Sequence, residues 1–433
     1  MRSRSVLSIM VFALLLLVVD MPLIAQVMEP ESSIKRDATS YMMLGAIDDH
    51  TILIKDTIDL KGNVCRLPVG ITLHFDSGYI KNGVLIGNMT KLIYNRPCFS
   101  QVEIRGTWNV PVINSFIFGD INHNNTLKNL MALSHPSIKN TVIIHEGEYL
   151  VSSLKNNDAC ININSNSEVI IDGIIRLSPN DYPAYSIIQI SGKDIIVKGK
   201  GIVAGDKDTH LGQDGEWGMG IYVNNAHDVK IEGVQVKDCW GDCIYIGNKS
   251  TNVSVGACSL SNARRQGISV TSANGVTIQD CEITYISGTL PECAIDIEPN
   301  INETVDNVLI TRVNAWKCNG GVQAVCYAKN ARVGAIKVID STISADEYHA
   351  LKFVNCGSAM AEYNVMAQTK NKRIVICKDI NNLVVKKNTL LKANKKTPNE
   401  KSLMKKAIIG NKSDAMAIIN CRKSVFRGNN ELY

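Results

Sequence analysis

Residues 220–300 read as one short sentence written repeatedly: GIYVNNAHDVKIEGVQVKDCWGD (220–242), CIYIGNKSTNVSVGACSLSNARRQ (243–266), GISVTSANGVTIQDCEITYISGTLPEC (267–293) and AIDIEPN (294–300). The first apolar residues of the units are Ile221, Ile244, Ile268 and Ile295, and the beat continues at Val322 and Leu351, with spacings of 23, 24, 27, 27 and 29 residues. Within each unit apolar and polar residues alternate with the period of a strand. A repeat of this length built from strands predicts an all-β parallel solenoid, in which each coil buries its apolar edge only by stacking on its neighbours.

Aligning the coils on Val229, Val253, Val276 and Val308 puts Val234, Cys258, Cys281 and Val313 in one column, and Cys239, Ala263, Ile286 and Cys318 in another. Cysteine that alternates with Val, Ala and Ile behaves as a small buried hydrophobe. The chain holds 13 cysteines, an odd count, with no CxxC pair and no histidine cluster. Core packing is therefore expected in place of a disulfide scaffold or a metal site.

Outward from the repeats, 433 residues with 45% apolar content are enough for a large core. Arg2 and Arg4 precede an apolar run from Val6 to Val19, which reads as a signal peptide over residues 1–25. The mature chain is then expected to be secreted or periplasmic, with no membrane association. Residues 26–120 form a strand-rich N-terminal segment, either the first coils or a separate cap. Residues 121–433 form the solenoid, with regular coils over 140–365 and basic C-terminal coils over 366–433. At 124–134, NNTLKNLMALS predicts a short helix, capped by Asn124 or Asn125, whose Leu127, Leu130 and Met131 share a face. Such a helix would serve as a lid over the open end of the coils.

Two departures from regularity stand out. Between Ile188 and Ile221 the spacing grows to 33 residues, so about ten extra residues are inserted in DKDTHLGQDGEWGMG (206–220). Long loops on a rigid scaffold are where function usually sits. Residues 370–427 hold sixteen Lys or Arg against three acids. That segment is nearly free of aromatics, which argues against nucleic acid, and a net charge of +5 is too mild to name a partner.

If the Ile pair of Ile244-Tyr245-Ile246 faces the core, the flanking positions face out, and equivalent positions stack about 4.8 Å apart. One such ladder is Gly220, Cys243, Gly267, Ala294, Gly321, Ala350, all small, which reads either as a low floor under a groove or as a structural need at the turn exit. The next is Tyr222, Tyr245, Ser269, Asp296, Gln323, Lys352, with Asn224, Gly247, Thr271 and Glu298 beyond it. The preceding turns add Trp217, Trp240, Asp242, Arg264, Arg265, Gln266 and Glu292. Aromatic rings stack on sugar faces, Arg pairs with uronate or sulfate, and carboxylates perform acid–base work. Together they predict a polysaccharide groove on the outer face, for a sugar chain that is acidic where Arg and Lys meet it. The expected catalytic set is Asp242, Asp296, Glu298 and Arg265. The expected substrate-binding set is Trp217, Tyr222, Trp240, Tyr245, Arg264, Gln266, Gln323 and Lys352. Asp296 and Glu298, two apart on one strand face, would stand about 7 Å from each other, and Asp242, two coils away, roughly 10 Å from Asp296. Both separations are near the window of an inverting glycosidase. A lyase would instead add a carboxylate-bound Ca²⁺ to acidify a uronate α-proton. A ladder salt bridge between Arg265 and Glu292 is the structural alternative for that pair. No other cofactor is expected, and a glycan-binding or adhesin-like surface role is the alternative to cleavage.

Over residues 140–365 the pattern resembles the pectate-lyase-like right-handed parallel β-helix superfamily, which includes exported polysaccharide hydrolases, lyases, epimerases and phage tailspikes. A single-stranded right-handed parallel β-helix with a short N-terminal capping helix is the fold this implies. WGDCIYI followed by RQGISV is similar to the polygalacturonase series of NTDG, DDC and GHG units on successive coils. Carried over residue by residue, Asp242 matches an acid of the DDC unit. Its partner position holds Gly241, the NTDG aspartate position holds Met219, and the GHG histidine position holds Gln266. RRQGIS and IDIEPN are similar to a branch of exported β-helix proteins for which the resemblance implies the fold alone.

Overall fold

The computed structural model describes residues 35–37, 44–45, 50–119, 125–153, 159–370, 373–392 and 415–432, so the expected signal peptide lies outside the described residues. The repeats form a parallel β-helix. Each coil carries three strands, as in Asp242–Gly247, Ser250–Gly256 and Ser259–Ser261. Like strands of successive coils pair in parallel, which gives the stack three faces. Ile221, Ile244, Ile268, Ile295, Val322 and Leu351 are consecutive partners on the first face, so the sequence beat is the structural register. All six are buried, and each such side chain contributes about 1.5–3 kcal/mol. The same pairing runs on through Val375–Lys378 and Met416–Ile419 into the basic segment.

The two cysteine columns mark corners. Gly233, Ala257, Asp280 and Arg312 have positive φ and immediately precede Val234, Cys258, Cys281 and Val313. Asp238, Asn262, Tyr285 and Lys317 do the same for Cys239, Ala263, Ile286 and Cys318. One left-handed residue breaks the strand alternation and sends the next side chain inward. For a residue other than glycine this costs about 1–3 kcal/mol, held in place by the burial that follows. Beyond Val313 the first column continues as Ser341, Asn364 and Asn388, and the side chains become a hydrogen-bond ladder. The Val313 N–H donates to Ser341 Oγ (3.2 Å), the Ser341 N–H to Asn364 Oδ1 (3.0 Å), and the Asn364 N–H to Asn388 Oδ1 (2.9 Å). The thiols sit equally well: Cys258 Sγ donates to the Gly256 carbonyl and Cys281 Sγ to that of Gln279, both at 3.2 Å. All thirteen cysteines are free and twelve are buried.

Residues 51–118 also coil. Thr51–Ile54 pairs in parallel with Thr72–Phe75, that strand with Ile80–Ile93, and that in turn with Phe99–Trp108. Val112–Asn114 pairs with Asn140–Ile144 and joins these shorter rungs to the main stack. Helix α1 (Thr126–Ala132) buries Leu127, Leu130 and Met131. It packs on Ala159–Ile163 of the first coils and also on Phe99–Trp108, so it is covered on its far side by the N-terminal rungs. Asn129 ties it down, accepting from the Ile104 N–H (3.1 Å) and donating to the Val102 carbonyl (3.0 Å).

One expectation about the first face is overturned. The small ladder Gly220, Cys243, Gly267, Ala294, Gly321, Ala350 points into the core and forms no groove floor. A Cβ on Gly267 would lie 2.5 Å from Ile283 Cγ2, and one on Gly321 2.7 Å from Ile343 Cγ2. Cys243 Sγ donates to the Val236 carbonyl at 3.3 Å. The chain is turning a corner here, so Cys243 and Ile244 both face inward and the residues stay small for lack of room.

Candidate active site

The second ladder does face out. Gln189, Tyr222, Tyr245, Ser269, Asp296, Gln323 and Lys352 are consecutive partners along the first face. Across the middle rungs lies a trough of about 380 Å³, whose walls include Trp217, Tyr245, Arg265, Ser269, Thr271, Asp296 and Glu298.

Asp296 is its centre. Its side chain borders the trough but is only 3% exposed. Gln266 Nε2 donates to Oδ2 at 3.0 Å and Gln323 Nε2 to Oδ1 at 2.8 Å. Gln266 is itself fixed, because its Oε1 accepts the Cys293 N–H at 2.9 Å. Burial, and then the charge of Glu298, push the Asp296 carboxyl up to about 7 against the pull of Gln323 and Arg265. Both glutamines were expected to meet substrate. In the fold they are buried and hold Asp296 from the rungs on either side. Glu298, two residues along, lines the trough, and its carboxylate makes no hydrogen bond or ion pair with the described residues. Along an extended strand such a pair stands about 7 Å apart.

Asp242 departs from expectation. It is fully buried behind Arg265 and Ser269 and does not border the trough. Its Oδ2 accepts from Ser269 Oγ at 2.8 Å and faces Arg265 Nη1 at 3.4 Å, while Oδ1 has no partner among the described residues. Burial raises its carboxyl to about 6, with Arg265 and Ser269 pulling it back. It reaches the trough only through Arg265 and Ser269, which it holds. Arg265 lines the trough, with its Nε 3.7 Å from Glu216 and without a hydrogen-bond partner among the described residues. Burial favours its neutral form, but Asp242, Asp296 and Glu216 outweigh burial and raise its pKa, so it stays a cation. The ladder pair with Glu292 does not form, since Glu292 accepts instead from the Gly288 N–H and Asn319. These acids also do not fit a Ca²⁺: the guanidinium of Arg265 occupies the place between Asp242 and Glu216 that a cation would need.

The insertion at 206–220 builds the trough's rim. Asp206 is buried and accepts from Tyr185 Oη, from Asn180 Nδ2 (2.9 Å) and pairs with His210 Nδ1 (2.8 Å). His210 stacks on Trp240 at 4.0 Å, and the Arg264 guanidinium covers Trp240's other face at 3.9 Å. Both Trp240 and Arg264 were expected to touch sugar. Instead the ring is sandwiched, and Arg264 Nη1 clamps the Gly215 carbonyl at 2.6 Å. The clamp presents Trp217, 48% exposed, at the trough's mouth. Tyr222 and Tyr245 meet edge to face at 5.2 Å, and Lys352 lies 5.7 Å from the ring of Tyr327 at the far end. Sequence reasoning missed Glu216, Ser269 and His210 in these roles. Ser269 was visible as a member of the outward ladder; the others sit in a loop with no periodicity to orient them.

The polygalacturonase pattern can also be tested in place. A Cβ at Gly241 would stand 2.4 Å from the Glu216 carbonyl oxygen, so no acid fits the position beside Asp242. Met219 is buried against Ser186 on the neighbouring coil.

The family described as "Right handed beta helix region" matches residues 151–298 and 219–392, more than half of the chain. Among curated proteins, the SPbeta prophage-derived uncharacterized protein YorA of Bacillus subtilis is 32% identical over 162 residues, 32% of this chain and 28% of that protein. Uncharacterized protein YclG of the same organism is 27% identical over 186 residues, 36% of this chain and 32% of that one. The chain thus spans about a third of the length of the curated relatives it matches. Among solved structures, the A-module of the mannuronan C-5 epimerase AlgE6 of Azotobacter vinelandii superposes with a TM-score of 0.49 at 12% identity, over 74% of this chain and 95% of that one. The endo-xylogalacturonan hydrolase of Aspergillus tubingensis gives 0.47 at 12% identity, over 74% and 92%.

Proposed function

We propose that this chain, which belongs to the right-handed β-helix family, hydrolyses a glycosidic bond of a polysaccharide lying in the trough. One observation carries the reading: Asp296 is buried yet borders the trough, is locked by two glutamine amides, and has a free-standing Glu298 two residues away. Near neutral pH a carboxyl raised to about 7 still holds its proton in part and can give it to the leaving oxygen. Glu298 then takes a proton from a water that attacks the anomeric carbon from the opposite side. The carbon–oxygen bond to the leaving sugar breaks as the bond to water forms. A spacing of about 7 Å leaves room for that water and implies inversion. Arg265, fixed by Asp242 and Glu216, brings its positive charge to the trough wall, and Trp217 and Tyr245 offer ring faces. A lyase reading is disfavoured, since no group at the trough serves as a strong base and Arg265 fills the place of a metal.

The test is to incubate the protein with a panel of uronate, sulfated and neutral polysaccharides, measuring reducing ends and unsaturated-uronate absorbance separately. New reducing ends without absorbance are expected on at least one substrate. Both signals together would replace hydrolysis by elimination. Tight binding with neither signal would leave a glycan-holding protein, a role to which the doubly bonded carboxylate of Asp296 also lends itself.

A further inference from the structure

Next to the trough, and separated from it by Trp217 and Tyr245, lies a second cavity of about 180 Å³. Its walls are Tyr185, Ser186, Met219 and Tyr222 together with the two shared rings and Ala184, and no charged side chain lines it. The hydroxyls of its tyrosines are already engaged. Tyr185 Oη is held by Asp206, Tyr222 Oη accepts from Asn248 Nδ2 at 2.8 Å, and Tyr245 Oη accepts from Thr271 Oγ1 at 2.9 Å. What these residues present to the cavity is therefore ring carbon. Ser186, 2% exposed, is different: its Oγ has no hydrogen-bond partner among the described residues. A buried hydroxyl without a partner costs free energy, and a ligand hydroxyl would relieve it.

We propose that this cavity is a subsite for one neutral sugar ring, taken by its apolar face against Trp217, Tyr222 and Tyr245 and by one hydroxyl on Ser186. This rests on the polysaccharide reading of the neighbouring trough and goes further, because it makes the substrate a chain with an uncharged unit beside the cleaved bond. Aromatic walls favour the C–H face of a pyranose. A carboxylate or sulfate there would be buried with no cation to pair it, which is far costlier than burying a hydroxyl. Met219 contributes to this selection: it takes the place of a polygalacturonase acid and leaves an apolar wall.

The probes are free galactose, glucose, mannose and rhamnose, each hexose set beside its uronate, added to the full chain and followed by saturation-transfer NMR and tryptophan fluorescence. At least one neutral sugar should bind with millimolar affinity, and its uronate at least about a hundredfold more weakly. Ser186→Val, which keeps strand propensity and volume, should weaken that sugar about fivefold. Tyr222→Ala should weaken it further, with the thermal midpoint of each variant measured as a folding control. No neutral sugar bound up to about 100 mM, equal binding of the uronate, or unchanged affinity in both folded variants would overturn the subsite. Cleavage of a panel polysaccharide together with silent monosaccharides would sink the subsite alone. Sugar binding without any cleavage would sink the hydrolytic reading alone.

Discussion

The two cysteine corners and the trough sit on the same coils, and both bury polar or titratable groups. They differ in whether those groups are satisfied. At the corners each thiol finds a backbone carbonyl, as Cys258 and Cys281 do, and burial pushes thiols such as Cys318 up to about 12. Such groups are inert packing. Around the trough, Asp242 Oδ1, Arg265 Nε and Ser186 Oγ lack partners among the described residues, and two carboxyls are held well above their usual range. Unspent hydrogen-bonding capacity and raised acids are expensive in a core, and their concentration on one face separates a site from a scaffold.

The largest effect that would break this contrast is at Asp296. Asp296→Asn keeps the shape and one acceptor for Gln266, while Gln323 can turn its amide to face the new donor. Loss of the transferable proton should lower cleavage by about 10²–10⁴-fold, measured as kcat/KM on whichever polysaccharide the panel identifies. An active variant would move the chemistry elsewhere.

Asp242→Ala should act through stability. Removing the buried partner of Arg265 strands a cation, and with Glu216 remaining nearby the cost is roughly 3 kcal/mol in urea unfolding at pH 7. If the variant unfolds like the parent, Asp242 is not the anchor that the geometry describes. A pH series then sharpens the difference between the two acids and the corners. The folded Asp296 carboxyl is raised to about 7 from an ordinary 3.8, so between those values the folded state binds more protons than the unfolded one. Its contribution to stability therefore falls as pH rises from about 4 to about 7 and is level beyond. Asp296→Asn should remove that slope, so that it gains on the parent at pH 8 by up to about 4 kcal/mol and matches it near pH 4. Equal slopes in the two proteins would mean that the carboxyl is not buried in solution.

Much of this was legible in the sequence. The beat from Ile221 to Leu351 is the register of the first face, and the outward ladder from Tyr222 to Lys352 stacks in the order read. A period of two carries that information wherever a strand stays straight. It fails at corners. The left-handed residues there are mostly Asp, Asn, Tyr and Lys, not glycine, so no residue type announces the break. At the turn into the first face the alternation also fails without any left-handed residue, since none lies between Asp238 and Asn248, yet Asp242, Cys243 and Ile244 are all buried. This turns the column around Gly267 inward and takes Asp242 out of the groove. The His210, Trp240 and Arg264 stack was hidden for another reason: its members come from three different turns, and only packing of the inserted loop across coils brings them together.

The smallest effect tests the scaffold side of the comparison. Cys258 shares its column with Val234 and Val313, and its thiol donates to the backbone carbonyls of Gly256 and Ile231 and lies against the Cys281 thiol. Cys258→Val swaps one small buried side chain for another that this column already accommodates twice. The residue before it, Ala257, already holds the left-handed turn without glycine, so the corner itself is undisturbed. The change should cost less than about 1 kcal/mol in urea unfolding and leave cleavage untouched. The parent's buried cysteines should also resist alkylation until the chain unfolds. A loss of several kcal/mol, or rapid labelling of the native thiols, would show that these corners carry chemistry that their satisfied hydrogen bonds argue against.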